Sequence, residues 1–175
     1  AQIRRIDFAS RLPESVVGGV LSILDKVDLI TACFLLGLEP TSSLDPYALR
    51  RSASAVAKIT LEKRLSYPFS KLLEESRQAL LAHGRLSDEQ PAKGGSAFGG
   101  KASPQRLEAF FKDRFRAHLV DRGFREDLVN SVLASDCEDL YSAFERLQAL
   151  SRIASEESFA QASKVVERTA NILKG

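Results

Sequence analysis

Methionine and tryptophan are missing from these 175 residues, and cysteine and histidine occur only twice each. Cys33, Cys137, His83 and His118 are too widely separated to form the closely spaced ligand sets of metal sites. Two cysteines are also too few for a disulfide framework. Both lie in apolar helical patterns, so the expectation is buried free thiols in a reducing compartment, with one long-range disulfide as the alternative. No apolar run is long enough to span a membrane, and no signal peptide is present. No stretch alternates apolar and polar residues long enough to make a strand. There is no Gly-x-Ser-x-Gly, and no Gly-Lys-Ser/Thr follows the glycine pairs 94–95 and 99–100, so neither a nucleophile elbow nor a phosphate loop is encoded. The net charge of +2 is too small to argue for nucleic acid by itself. The chain opens mid-register on Ala-Gln-Ile-Arg-Arg, and it reads as a piece of a longer protein.

What the sequence does have is helical periodicity. Its hydrophobic fraction of 44% is enough for a core. A first helix is expected from Pro13-Glu14 to about Leu36, burying Val17, Leu21, Leu24, Val27 or Asp28, and Ala32. Gly18-Gly19 would permit close backbone approach, and Gly37 would close the helix in a left-handed cap. Asp45 and Pro46 read as the cap and first residue of a second helix reaching about Leu65. Leu49, Ala53, Val56 and Ile59 line one side of it, and Arg50, Arg51, Lys58 and Arg64 the other. Pro68 opens a third helix with Phe69, Leu72, Leu73, Ala79 and Leu80, fading at His83-Gly84. Ser103-Pro104 opens a fourth, with Leu107, Phe110, Phe111, Phe115, Leu119 and Val120, ended by Gly123. A short helix covers 124–134. Asp136 is expected to cap the next, through Leu140, Phe144, Leu147 and Leu150. Ser155 is expected to cap the last, with Phe159, Ala162, Val166, Ala170 and Leu173. Between the third and fourth, the Gly-, Ser- and charge-rich run 84–103 has little apolar surface to offset its ordering entropy. The predicted fold is all-α: about seven helices in two sub-bundles joined by a flexible Gly/Ser-rich linker.

Three features invite a chemical reading. Asp25 and Asp28 share a helical face, where HD-type phosphohydrolases place a metal-binding aspartate, but no His-Asp pair accompanies them. Local ion pairs or caps, with residues such as Lys26 and Arg50, are the expected role. Arg50 and Arg51 would either hold carboxylates such as Asp28 or Glu39 at the helix junction or grip RNA phosphates with their planar forks. The segment 101–125 carries Lys101, Arg106, Lys112, Arg114, Arg116, Arg122 and Arg125 against three acidic residues, which suits either a solvated face or a phosphate-tracking stripe. No aromatic residue is evidently exposed among these cations, so base stacking has no support.

The run Gly37-Leu-Glu-Pro-Thr-Ser-Ser-Leu-Asp-Pro-Tyr-Ala-Leu-Arg-Arg51 resembles the G-x-K-P-T-G-S-K-D-P-F-A-L-R-R segment of the bacterial glycyl-tRNA synthetase β-subunit family, with Ser42 and Leu44 in place of Gly and Lys. Leu24-Asp-Lys-Val-Asp-Leu29 resembles its A-D-K-L-D-T-L, and residues 164–173 its N-K-R-V-x-N-I-L, interrupted by Thr169-Ala170. The resemblance implies residues 1–37 as the end of an HD-like helical domain, 38–84 as a helical body, 85–103 as the linker, and 104–175 as a bundle leading toward an anticodon-binding domain. It further implies a cytoplasmic glycine–tRNA ligase whose ATP- and Mg-using active site lies on the α subunit. This segment itself would hold no cofactor or metal. Its partners would be tRNA(Gly) and the α subunit, with no membrane and no DNA. The RNA-contacting candidates are Arg50, Arg51, Lys58, Arg106, Lys112, Arg114, Arg116 and Arg122. The alternatives are a helical protein-interaction scaffold and a fragment of an HD-type phosphohydrolase.

Overall fold

A computed structural model describes residues 12–41, 43–82, 103–135 and 137–174. Among them the secondary structure is entirely helical, with seven α-helices and no strand. The linker at 85–102 lies outside the described residues.

Helix α1 spans Val16–Leu35. The Ser15 hydroxyl caps it, accepting from the Gly18 amide at 3.0 Å. Gly37, at φ 70°, turns the chain out of it, and the Leu38 amide reaches back to the Cys33 carbonyl at 2.8 Å. The buried face of α1 differs from the expected one. Ile23, Val27, Ile30, Cys33 and Phe34 are buried, whereas Val17, Leu21 and Leu24 are exposed. Apolar residues recur on more than one side of this helix, and periodicity alone does not choose between such sides.

Helix α2 runs Leu49–Lys63, starting four residues later than Asp45. Asp45 still supplies the acceptor. Its two carboxylate oxygens take the amides of Leu49 at 2.7 Å and Arg50 at 3.1 Å. Pro46 and Tyr47 form a turn instead of the first helical turn, and Ala48 bridges to the helix in the left-handed region at φ 53°. A carboxylate satisfying two free amides at a helix start contributes about 1 kcal/mol. Leu49, Ala53, Val56 and Ile59 are buried as expected. α1 and α2 cross at Gly19, where an added Cβ would stand 3.3 Å from Ile59 Cγ2.

Helix α3 spans Phe69–Ala82 and α4 spans Pro104–Asp121. Ser103 occupies the N-cap position of α4 with Pro104 following, although its hydroxyl goes to the Gln105 side chain. Leu107, Phe111, Phe115 and Leu119 of α4 are buried. The Phe34–Phe110 and Phe69–Phe111 ring pairs, each at 5.2 Å between centroids, join α4 to α1 and α3. The described residues on both sides of 83–102 therefore share one hydrophobic core.

Helix α5 is Glu126–Ala134, α6 is Leu140–Ile153 and α7 is Glu157–Lys174. The cap of α6 is Asp139, accepting from the amides of Tyr141 at 2.8 Å and Ser142 at 3.0 Å. Asp136, the expected cap, lies outside the described residues. The other Asp139 oxygen accepts from the Ser66 hydroxyl at 2.5 Å, and the Phe69 amide donates to the Glu138 carbonyl at 2.6 Å. These bonds tie the start of α3 to the α5–α6 connection. Ser155 does not cap α7; its hydroxyl turns back to the Arg152 carbonyl at 3.0 Å. Val166, expected in the core, is 68% exposed.

Cys33 and Cys137 are both buried free thiols, matching the sequence expectation. Burial, with the Asp45 charge adding to it, pushes the Cys33 thiol upward from its ordinary value.

Candidate nucleic-acid interface

The basic run on α4 is largely neutralised within the fold. Arg106 reaches Glu39 in the loop before α2 at 2.6 Å. Lys112 pairs with Glu108 one turn earlier at 2.8 Å. Arg114 pairs with Asp113, and Arg116 with Glu126 of α5. Arg116 Nε also donates to Asn130 Oδ1 at 2.8 Å. These contacts add little stability one by one, as surface pairs do. Their effect on binding is larger. A phosphate approaching any of these four cations must displace a carboxylate, and a cation already matched by a protein anion releases few counterions. Burial pushes the Glu39 carboxyl up, opposed by Arg106.

Arg50 is also committed to the fold. It is half-buried, and its guanidinium donates to the Thr41 carbonyl. The expected carboxylate partners are engaged elsewhere: Glu39 with Arg106, and Asp28 with the buried Ser76 hydroxyl of α3 at 2.5 Å. Lys26 turns to the Ser22 hydroxyl at 2.9 Å. Arg50 and Arg106 thus hold the 38–48 loop from two sides. Within that loop the Thr41 hydroxyl accepts from the Leu44 amide at 3.2 Å, and the Thr41 amide donates to the Leu44 carbonyl at 2.9 Å.

Arg51 and Lys58 are different. Both are exposed on the outer face of α2, seven residues and so about 10 Å apart along the axis. No ion pair among the described residues includes either of them. α2 packs against α4, and Lys58 and Glu62 of α2 and Asp121 and Arg122 at the end of α4 all act on His118. Arg122 is held over the Phe144 ring, its guanidinium carbon 5.7 Å from the centroid, which fixes its direction while leaving it exposed. Burial, then the charges of Arg122 and Lys58, lower the pKa of His118, against Asp121 and Glu62. His118 is therefore neutral near pH 7 and adds no charge of its own.

Of the eight candidate cations, three are exposed with no ion pair among the described residues: Arg51, Lys58 and Arg122. The other five are occupied. The Glu108–Lys112 pair was legible from its i,i+4 spacing. The Glu39–Arg106 pair, 67 positions apart, had no signal in the sequence. Phe144 beneath Arg122 likewise becomes visible only once α6 is docked. Among the described residues, no three His, Cys, Asp or Glu side chains converge as a metal site would require. No helix there is long and apolar enough to cross a membrane.

A family model described as glycyl-tRNA synthetase beta subunit matches residues 2–134. Similar proteins include glycine–tRNA ligase β subunits of Oleidesulfovibrio alaskensis, 34% identical over 166 residues, and Nitratidesulfovibrio vulgaris, 35% identical over 169. Each alignment covers 94% of this chain and 22% of the relative. A third, from Lactobacillus helveticus, is 36% identical over 163 residues, covering 93% of this chain and 22% of the relative. The chain thus spans about a fifth of the length of the relatives it matches.

Proposed function

The chain belongs to the glycyl-tRNA synthetase β-subunit family, and on that premise we propose that it is a non-catalytic, tRNA-contacting helical part of a glycine–tRNA ligase. Its task is to hold tRNA(Gly) in register with an active site on the α subunit. That contribution is orientation of a bound substrate, which lowers the barrier without making or breaking a bond. In this reading ATP and Mg2+ act on the α subunit, and the enzyme works in the cytoplasm. The observation that supports RNA contact is that Arg51, Lys58 and Arg122 are exposed and none is held in an ion pair among the described residues. Cations of this kind grip phosphates and carry little sequence information. Arg50 and Arg106 are positioning residues that hold the 38–48 loop.

The test uses the full β subunit with its α partner. Replacing Arg51, Lys58 and Arg122 together by Gln should reduce the slope of log affinity for tRNA against log salt by about 2–3, at roughly 0.7–0.9 per lost contact. Replacing Lys112, Arg114 and Arg116 together should leave that slope nearly unchanged. The reverse pattern would return the interface to α4. A slope unaffected by either set would favour the scaffold reading.

A further inference from the structure

We propose that the outer face of α1 is an internal docking surface, covered in the longer polypeptide by an apolar helix face from outside these 175 residues. The first observation is the pattern of α1. Residues 16–24 contain no charged side chain. The inner side, with Ile23, Val27 and Ile30, is buried against α2 and α3. Val16, Val20, Leu24, Val17 and Leu21 continue that arc around the helix at 100° per residue, and they are 55%, 39%, 38%, 69% and 62% exposed. An apolar arc this wide is more than α2 and α3 cover, and its exposed part is a face for a further element. A contiguous row of this size is unusual on a free surface.

The second observation is a concavity beside the row. An apolar groove of about 330 Å³ opens between α1 and the start of α3, lined by Val20, Leu24, Leu65, Tyr67, Pro68 and Leu72. Lys71 and Glu75, paired with each other at 3.7 Å, form its polar rim. Row and groove share Val20 and Leu24, so together they offer a ridge and a slot, the relief that a packed helix fits.

The occupant follows from chain length. The relatives are several times longer than this chain, which accounts for 22% of them. A covalently attached segment covers such a face without the translational and rotational cost that a separate partner meets. The absence of charge from 16 to 24 asks for an equally uncharged, aliphatic partner surface. The inference rests on the family and its length and is independent of the RNA reading.

Thiol labelling of the full-length polypeptide, without the α subunit, tests it. Cys33 and Cys137 are buried, and mass spectrometry of the peptide that carries each introduced thiol reads labelling at that site alone. Leu21→Cys and Val17→Cys should react with a maleimide at least tenfold more slowly than Glu145→Cys on exposed α6. The protection should be the same at 1 and 50 μM protein. Labelling at the rate of the control would overturn the proposal. Protection that grows with concentration, or appears only with added α subunit, would overturn the choice of occupant. Carbene footprinting of the unsubstituted polypeptide gives the same answer with no substitution. Low modification of residues 16–24 relative to the outer face of α6 is expected, and equal modification contradicts it.

Discussion

Phe69→Ala should lower the unfolding free energy by about 3–5 kcal/mol, the usual loss for removing a fully buried ring. Phe69 is 0% exposed at the point where three elements meet. Its ring packs edge-on against Phe111 at 5.2 Å and beside Tyr67 at 6.2 Å. Its amide holds the connection before α6 through the Glu138 carbonyl. The cavity would open between segments on either side of residues 83–102, where the surrounding helices have no spare side chain to fill it. Urea unfolding should give a lower midpoint, with a shift in melting temperature on the order of 10 °C. A loss below 1 kcal/mol would mean that the two halves do not share this core in solution.

The second large effect is pH-dependent. Tyr67 is raised to about 12, first by burial and further by the Asp139 charge, with the Thr60 hydrogen bond at 2.8 Å opposing both. A tyrosine raised on folding favours the protonated state of the fold. Its stabilising contribution is complete below the unfolded value near pH 10 and is lost as pH rises toward 12. Across that window the unfolded chain binds fewer protons at this position, so stability falls with pH, by on the order of 2–3 kcal/mol. Tyr67→Phe should remove this component of the alkaline loss and delete a phenol step near pH 12 from the ultraviolet absorbance titration. Thr60→Val should destabilise by about 1–3 kcal/mol at neutral pH, because the Tyr67 hydroxyl then loses its buried partner. An alkaline profile unchanged in Tyr67→Phe would contradict this account of the α2–α3 junction.

The helices themselves were legible because each carries a 3.6-residue apolar pattern and a Pro, Gly, Ser or Asp near its end. α4 is the clearest case: Pro104, Leu107, Phe111, Phe115 and Leu119 all stand where the pattern puts them. Two kinds of information were missing. One is which side of an apolar helix faces its own bundle. α1 shows this, since Val17 and Leu21 fit a core stripe as well as Ile23 and Val27 do, and only docking against α2 and α3 selects between them. The other is long-range pairing. Arg106 reads as a free cation until the loop carrying Glu39 folds beside it, and Arg50 reads as a partner of carboxylates until the Thr41 carbonyl takes it. Caps erred in the same way. Asp45 was recognised as an acceptor, but the left-handed Ala48 lets it act from four residues ahead of the helix. The family resemblance was legible for a different reason: the Gly37–Arg51 segment combines a helix end, a constrained loop and a capped helix start, and each of its parts has a distinct local role.

The central claim is that the outer face of α2, rather than the basic run of α4, meets tRNA. Site-specific photocrosslinking tests it most directly. A benzophenone side chain would be placed in turn at positions 51, 58, 114 and 116 of the full β subunit, assembled with its α partner and tRNA(Gly). The account predicts RNA crosslinks from 51 and 58 that competing unlabelled tRNA abolishes, and background yields from 114 and 116. Crosslinks from 114 and 116 with none from 51 and 58 would contradict it.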